Sequence, residues 1–318
     1  MRVFITGIGG TLGTAVAQRV EGDPSVDAVA GVDLFPPRRR LLRAEFHRVD
    51  PRNRERMATI IRSFAPTALI HLGVYEPYSR SSPRAAVART AAGTVAALEA
   101  AVTSRRLDRV VVRSGIEVYG RRRGAPLRPD EEVPPAPSSS FGHILLNVEQ
   151  ISREAGDRAG VPVTLLRFAP IVGPHVPSPL GRLLRLPAVP FSALGDPVFS
   201  VTHEADVVAA IVAALNDPVH GALNVVGPGA VTASQAARIG HRVPVPVVGP
   251  GWRGAKALAH LAGAPVPDHV HELLVRGRTA DGSRLAEVLG VRVQHHTPEV
   301  VRQLYAWEPI EYLSVTAV

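Results

Sequence analysis

The sequence predicts an α/β fold, a doubly wound parallel sheet carrying a smaller, interleaved C-terminal domain, and three observations carry that expectation. Short apolar runs rich in β-branched residues alternate with longer amphipathic stretches over the first 168 residues. The first such pair is joined by a glycine-rich turn, Thr6-Gly7-Ile8-Gly9-Gly10-Thr11-Leu12-Gly13. After Arg167 prolines break the pattern, and regularity returns only between Glu204 and Val226. The first domain is therefore expected at 1–168 with a return segment at about 203–226. A smaller, substrate-binding domain would occupy 169–202 and 227–318.

In chain order, strands are expected at 2–6, 28–32, 45–49, 68–71, 109–113 and 163–167. Helices are expected at 11–20, 52–63, 83–104 and 139–159, crossing between those strands. Strands separated by helices imply a parallel sheet covered on both faces. A helix over 204–215 and a strand over 223–226 complete the pattern. No internal repeat or low-complexity linker interrupts it.

Composition narrows the function classes. The chain has 318 residues, 46% of them apolar, enough for a substantial core. No apolar run approaches the ~20 residues of a membrane span, and MRVFITG lacks the marks of a secretory signal, so a soluble cytoplasmic protein is expected. With no cysteine there is no disulfide frame, thiolate nucleophile or cysteine-ligated metal. The net charge of +8 is almost entirely arginine, Lys256 being the only lysine. The arginines are dispersed and no recognition helix accompanies them, so nucleic acid is not expected as a partner.

The glycine turn has a mechanism. Gly7 permits the tight turn, Gly10 lets the backbone approach a pyrophosphate, and Gly13 lets helix pack close to strand. The helix that opens at Thr11 offers free amides and a positive dipole end. About 20 residues on, Asp33 ends Ala30-Gly31-Val32-Asp33, where a carboxylate accepts hydrogen bonds from adenosine ribose hydroxyls and repels a 2′-phosphate. NAD is thus favoured over NADP. Arg38, Arg39 and Arg40 nearby keep NADP as the less favoured alternative.

From these residues outward the chain resembles the extended short-chain dehydrogenase/reductases, the epimerase/dehydratase family that includes UDP-galactose epimerase. Val49-Asp50-Pro51 resembles the adenine-contacting segment after the third strand, and His71-Leu72-Gly73 the segment after the fourth. VVRSGIEVYG (111–120), LRFAPIVGP (166–174), HEADV (203–207) and GRTADGSRLAEVLG (277–290) resemble further signatures of the same family in the same order. The resemblance implies a Rossmann-type cofactor domain, a polar and possibly nucleotide-linked small-molecule substrate, and a homodimer formed through the helices at 83–104 and 139–159. It also implies cofactor contacts from Gly7, Gly9, Gly10, Thr11, Leu12, Gly13, Asp33, Asp50, Pro51, Leu72 and Gly73.

The family's catalytic triad is missing. A Tyr-x-x-x-Lys pair and a serine or threonine carry the proton in that family. Here the matching positions are Phe141, Leu145 and Gly115, and Thr90 stands where an asparagine is expected. None of the five tyrosines has a lysine four residues later, so no change of register restores the pair. Replacement groups are sought at Ser114 and Glu117, at the end of the fifth strand, and at His143, with Tyr75, Tyr78 and His175 also near the expected cleft. Tyr119 reads as a packing residue. The cluster Asp268-His269-Val270-His271-Glu272 reads as a polar helix face and no metal site is assigned. Arg182, Arg185, Arg276 and Arg278 are candidates to clamp a diphosphate. Two functions follow: an enzyme with relocated catalytic groups, or a catalytically silent NAD-binding sensor that supports a partner.

Overall fold

A computed structural model describes residues 1–306; Tyr312 and the end of the 227–318 segment lie outside the described residues. The main sheet contains β1 (Arg2–Thr6), β2 (Ala28–Asp33), β3 (Glu45–Arg48), β4 (Ala68–His71), β5 (Arg109–Gly115), β6 (Val163–Phe168) and β8 (Gly221–Val225). Their spatial order is β3-β2-β1-β4-β5-β6-β8, and every neighbouring pair is parallel. The chain runs outward from β1 to β3, returns, and runs outward again from β4. Order therefore reverses between β1 and β4, which opens a crevice at their C-terminal ends.

Both faces are covered. On one side α1 (Thr11–Glu21) and α6 (Glu204–Asn216) pack over a core containing Val3, Ile5, Val16 and Ile211. On the other, α2 (Arg54–Phe64), α3 (Pro83–Val102) and α4 (Ser140–Ala159) cover Phe4, Leu69, Leu98 and Leu145. Strands buried on both faces read as near-continuous apolar runs, which is how FIT and VVV appear in the sequence.

One element departs from expectation. α3 has the length and composition of a membrane span, with mean hydropathy 1.3. Half of that stretch is buried in the protein, where the helix packs against α2 and α4. Its small side chains, a run of alanines with Gly93, supply the apolar character that lets it lie close to its neighbours.

A third core forms beyond the C-terminal ends of the strands. It comprises α5 (Pro179–Leu184), β7 (Ala188–Ser192), α7 (Ala233–Ile239), β9 (Val243–Val247), α8 (Gly251–Leu261), α9 (Asp268–Arg276) and α11 (Thr297–Tyr305) around Phe199, Trp252, Leu273 and Val301. α10 (Ser283–Leu289) does not join it. Leu285 instead packs into the core over the main sheet, where α10 meets β8. The two-stranded sheet is parallel β7-β9.

Candidate active site

The cleft runs along the C-terminal ends of β1, β2, β4 and β5 and is closed from above by α9 and the loop before α5. At one end lies the glycine turn. The Gly7 amide donates to the Val32 carbonyl at 2.9 Å, tying the turn to β2. A Cβ at Gly13 would collide with the Gly7 carbonyl, so only glycine lets α1 start this close to β1. No side chain caps α1 at Gly10, and the buried Thr11 Oγ1 has no hydrogen-bond partner. Uncapped amides and an orphaned hydroxyl at a helix N-terminus suit an anion.

Asp33 stands beside this turn with 6% of its surface exposed. Burial raises its pKa, and the amides of Phe35 at 3.2 Å and Gly9 at 3.0 Å work against that rise. Leu72 and Gly73, after β4, line the same cleft. Pro51 lines a small adjoining cavity together with Asp33 and Tyr75. Asp50 lines neither; its carboxylate is held by the Arg52 guanidinium at 2.7 Å. Burial and the nearby Asp33 charge push the Tyr75 pKa far up, so this phenol stays protonated and cannot serve as a base.

At the other end stand the positions of the absent triad. Phe141 and Leu145 are buried on the cleft side of α4. A Cβ at Gly115 would collide with Oε2 of Glu117, so the space beside Gly115 is filled by a carboxylate reaching back from two residues further on. Glu117 Oε1 accepts from Arg278 Nη1 at 3.2 Å, and Arg278 Nη2 donates to Glu272 Oε2 at 2.5 Å. Phe141 packs against the His269 ring with centroids 5.0 Å apart. His269 Nε2 lies 3.1 Å from Glu76 Oε1. Burial alone would lower the His269 pKa, but Asp268 and Glu76 outweigh it and raise it to about 9.

The sequence candidates fare unequally. Glu117 and Ser114 both line the cleft, but the Ser114 hydroxyl is spent on Glu149 Oε1 at 2.6 Å. Glu149 in turn holds Arg167 through two bonds of 2.8 Å, and Arg167 donates to the Tyr119 hydroxyl, so Tyr119 and Ser114 belong to a buried structural network. His143 lies on the exposed face of α4 with Nδ1 2.8 Å from the Ser139 carbonyl, outside the cleft, because two residues turn a helical side chain by about 200°. Tyr78 and His175 are exposed and also do not line it.

Of the four arginines proposed as a clamp, Arg182, Arg185 and Arg276 donate to backbone carbonyls, and Arg278 is bound by two carboxylates. The polar face expected at 268–272 is divided: His269 is buried and lines the cleft, Glu272 is buried against Arg278, and His271 meets Trp252. Among the described residues no group of three or more His, Cys, Asp or Glu is arranged to hold a metal. Glu76 and Arg113, both in the cleft, are not among the sequence candidates; the available signal is that Glu76 lies in the loop after β4, whose C-terminal end opens on the cleft.

Residues 3–227 match the model of the NAD dependent epimerase/dehydratase family. The chain belongs to that family. An uncharacterised protein of Mycobacterium tuberculosis is 31% identical over 312 residues, covering 93% of this chain and 81% of that protein. A UDP-glucose 4-epimerase of Azospirillum brasilense is 29% identical over 185 residues, 57% of this chain and 51% of that protein. Among solved structures, the Thermotoga maritima UDP-glucose 4-epimerase with UDP-glucose superposes with TM-score 0.75 at 20% identity, covering 96% of this chain and 98% of that one. The Bacillus cereus UDP-glucuronic acid 4-epimerase with UDP-glucuronic acid and NAD gives TM-score 0.73 at 19% identity over 96% and 98%. This epimerase/dehydratase-family fold is thus shared along nearly the whole chain, while the triad positions hold Gly115, Phe141 and Leu145.

Proposed function

We propose that this epimerase/dehydratase-family protein binds NAD and transforms a sugar nucleotide, or a similarly polar small molecule, without a tyrosine–lysine pair. The observation that carries the reading is that the two ends of the cleft have been treated differently. The cofactor end keeps its glycine turn, its uncapped α1 terminus and Asp33. At the catalytic end, the Tyr/Lys/Ser positions are apolar or empty, yet Glu76, Glu117, His269 and Arg278 converge on the space around them. A site that had lost all chemistry would be expected to fill that space with apolar side chains, since buried charges are costly to keep.

NAD fits this chain's residues. The pyrophosphate would meet the α1 amides and the orphaned Thr11 hydroxyl, and the adenosine ribose would meet Asp33. When bound, the nicotinamide supplies a hydride acceptor and donor. Glu117, placed where a serine side chain would lie, is poised to accept a hydrogen bond from a substrate hydroxyl, and Arg278 orients it. Phe141 and Leu145 exclude water from the reacting carbon. The sugar-nucleotide class is suggested by the A. brasilense, T. maritima and B. cereus proteins, named for UDP-sugars. As in the sequence reading, the protein is proposed to be cytoplasmic and a homodimer through α3 and α4.

A second reading, a catalytically silent NAD-binding protein, is favoured by Phe141 and Leu145, neither of which transfers a proton. Incubation with NAD and UDP-glucose, UDP-galactose or UDP-glucuronate separates the two. Interconverted or dehydrated sugar, or a rise in nicotinamide absorbance at 340 nm, supports the enzyme. Bound NAD with no product from any of them favours the silent binder.

A further inference from the structure

Resting on the reading of the glycine turn as a dinucleotide site, we propose that Arg80, seated on the Phe35 ring, is a second anion-binding group of this chain. It would take the cofactor's pyrophosphate together with the α1 amides.

The two residues come from loops on either side of the glycine turn. Phe35 follows β2, Arg80 lies in the loop after β4, and β1 runs between those strands. Their side chains nevertheless meet, with the Arg80 guanidinium carbon 4.8 Å from the centre of the Phe35 ring. The contact therefore spans the C-terminal end of β1. Phe35 also lies directly against the turn, since a Cβ at Gly9 would overlap its carbonyl. Both side chains line the cleft together with Gly7, Gly10 and Thr11.

The guanidinium is unspent there. Asp33 faces it, but Asp33 Oδ2 accepts from the Gly9 amide and Oδ1 from the Phe35 amide. Among the described residues the Arg80 guanidinium donates no hydrogen bond and forms no ion pair. The other arginines lining the cleft differ: Arg113 donates to the Val74 carbonyl, and Arg278 to Glu117 and Glu272. Stacking on a ring holds a guanidinium by its face and leaves the N–H donors around its edge available. Burial and the nearby Arg38 lower the Arg80 pKa, and Asp33 works against that fall without cancelling it. A cation in that state gains from an anion beside it.

The loop presets the side chain. The Tyr78 amide donates to the Ser81 carbonyl at 2.9 Å, closing a turn in which Tyr78 has φ 62°. The Ser79 hydroxyl donates to the Pro177 carbonyl, and Arg182 of α5 donates to the Tyr78 carbonyl. The residues just before Arg80 are thus fastened to α5 and the loop preceding it, so little ordering is needed when an anion arrives.

The test is calorimetric, on the full-length protein, with NAD, ADP and adenosine as probes, adenosine being measured by competition against NAD. R80Q removes the charge and is expected to weaken NAD and ADP on the order of 10–100-fold while leaving adenosine, which has no phosphate, unchanged. R80K keeps the charge but not the planar fork, and is expected to recover part of the loss. R80Q that binds NAD and ADP as the wild type does overturns the proposal, even if NADP binding falls. So does an equal loss for ADP and adenosine, which would make Arg80 a partner of the base. R80K binding ADP no better than R80Q overturns it as well. A wild type that binds none of the three probes overturns the dinucleotide reading itself, and the role of Arg80 with it.

Discussion

Placing an aspartate at Gly10 tests whether the glycine turn binds a dinucleotide, because here folding and binding should move in opposite directions. Gly10 is the N-cap of α1 in extended conformation, φ −71° and ψ 163°, with no side-chain cap. A Cβ there comes no nearer than 3.4 Å to the Gly7 carbonyl, so the substitution needs no rearrangement. Aspartate is a preferred N-cap, and its charge complements the helix dipole, together worth ~0.5–1 kcal/mol. The same carboxylate takes the amides the pyrophosphate needs and repels it. Losing two charge-assisted hydrogen bonds alone costs ~3 kcal/mol, or ~100-fold in affinity. Gly10→Asp should therefore melt at or above the wild-type temperature and bind NAD at least ~100-fold more weakly, measured by thermal denaturation and calorimetry. Unchanged affinity in a folded variant would refute the assignment. Gly13→Ala would not separate the two effects, since its Cβ collides with backbone.

Other outcomes follow from the same geometry. Glu149→Gln leaves the buried Arg167 without its counter-charge; burial lowers the arginine pKa and Glu149 more than restores it, so a loss of ~3–5 kcal/mol is expected in urea denaturation. A loss below ~1 kcal/mol would contradict the reading of this pair as structural. Asp33→Ser should shift preference from NADH toward NADPH, because the repelling carboxylate is gone while Arg80, which faces Asp33 and Arg38, remains; an unaltered ratio in calorimetry would count against Asp33 as ribose acceptor.

Stability should also fall on both sides of neutrality. His71 is fully buried between Thr6 and Thr94 hydroxyls with its pKa lowered to about 4 by burial. Its folded value lies below the unfolded ~6.5, so its contribution is full above pH ~6.5 and is lost as pH falls toward 4. His269 is opposite in sign. Raised to about 9, it contributes fully below the unfolded ~6.5, and that contribution is lost as pH rises through 9. In H269Q, urea denaturation between pH 6 and 10 should lose this alkaline decline; a decline identical to wild type would show that His269 is not protonated in the folded protein.

The cofactor half of the cleft was legible in sequence because it is local. A strand, a glycine turn and a helix within 20 residues fix the amides, and Asp33 follows at the end of the next strand. The catalytic half is not local. Glu76 meets His269 across 193 residues, and Glu117 meets Arg278 across 161. Nothing in the spacing of 268–272 shows that α9 turns His269 into the cleft and Glu272 onto Arg278, so both read as solvated. His143 was drawn in by nearness to Phe141 along the chain, although a helix sends neighbours two apart in nearly opposite directions. Gly115 read as a deletion of the serine; only the fold shows Glu117 in that space.

The central claim is that this cleft is built for NAD, and calorimetric titration of the full-length protein with NAD, NADH, NADP and NADPH tests it most directly. The account predicts saturable binding of the NAD pair and much weaker binding of the phosphorylated pair, which Asp33 repels. A folded protein that binds none of the four, or that binds NADP more tightly than NAD, would contradict it.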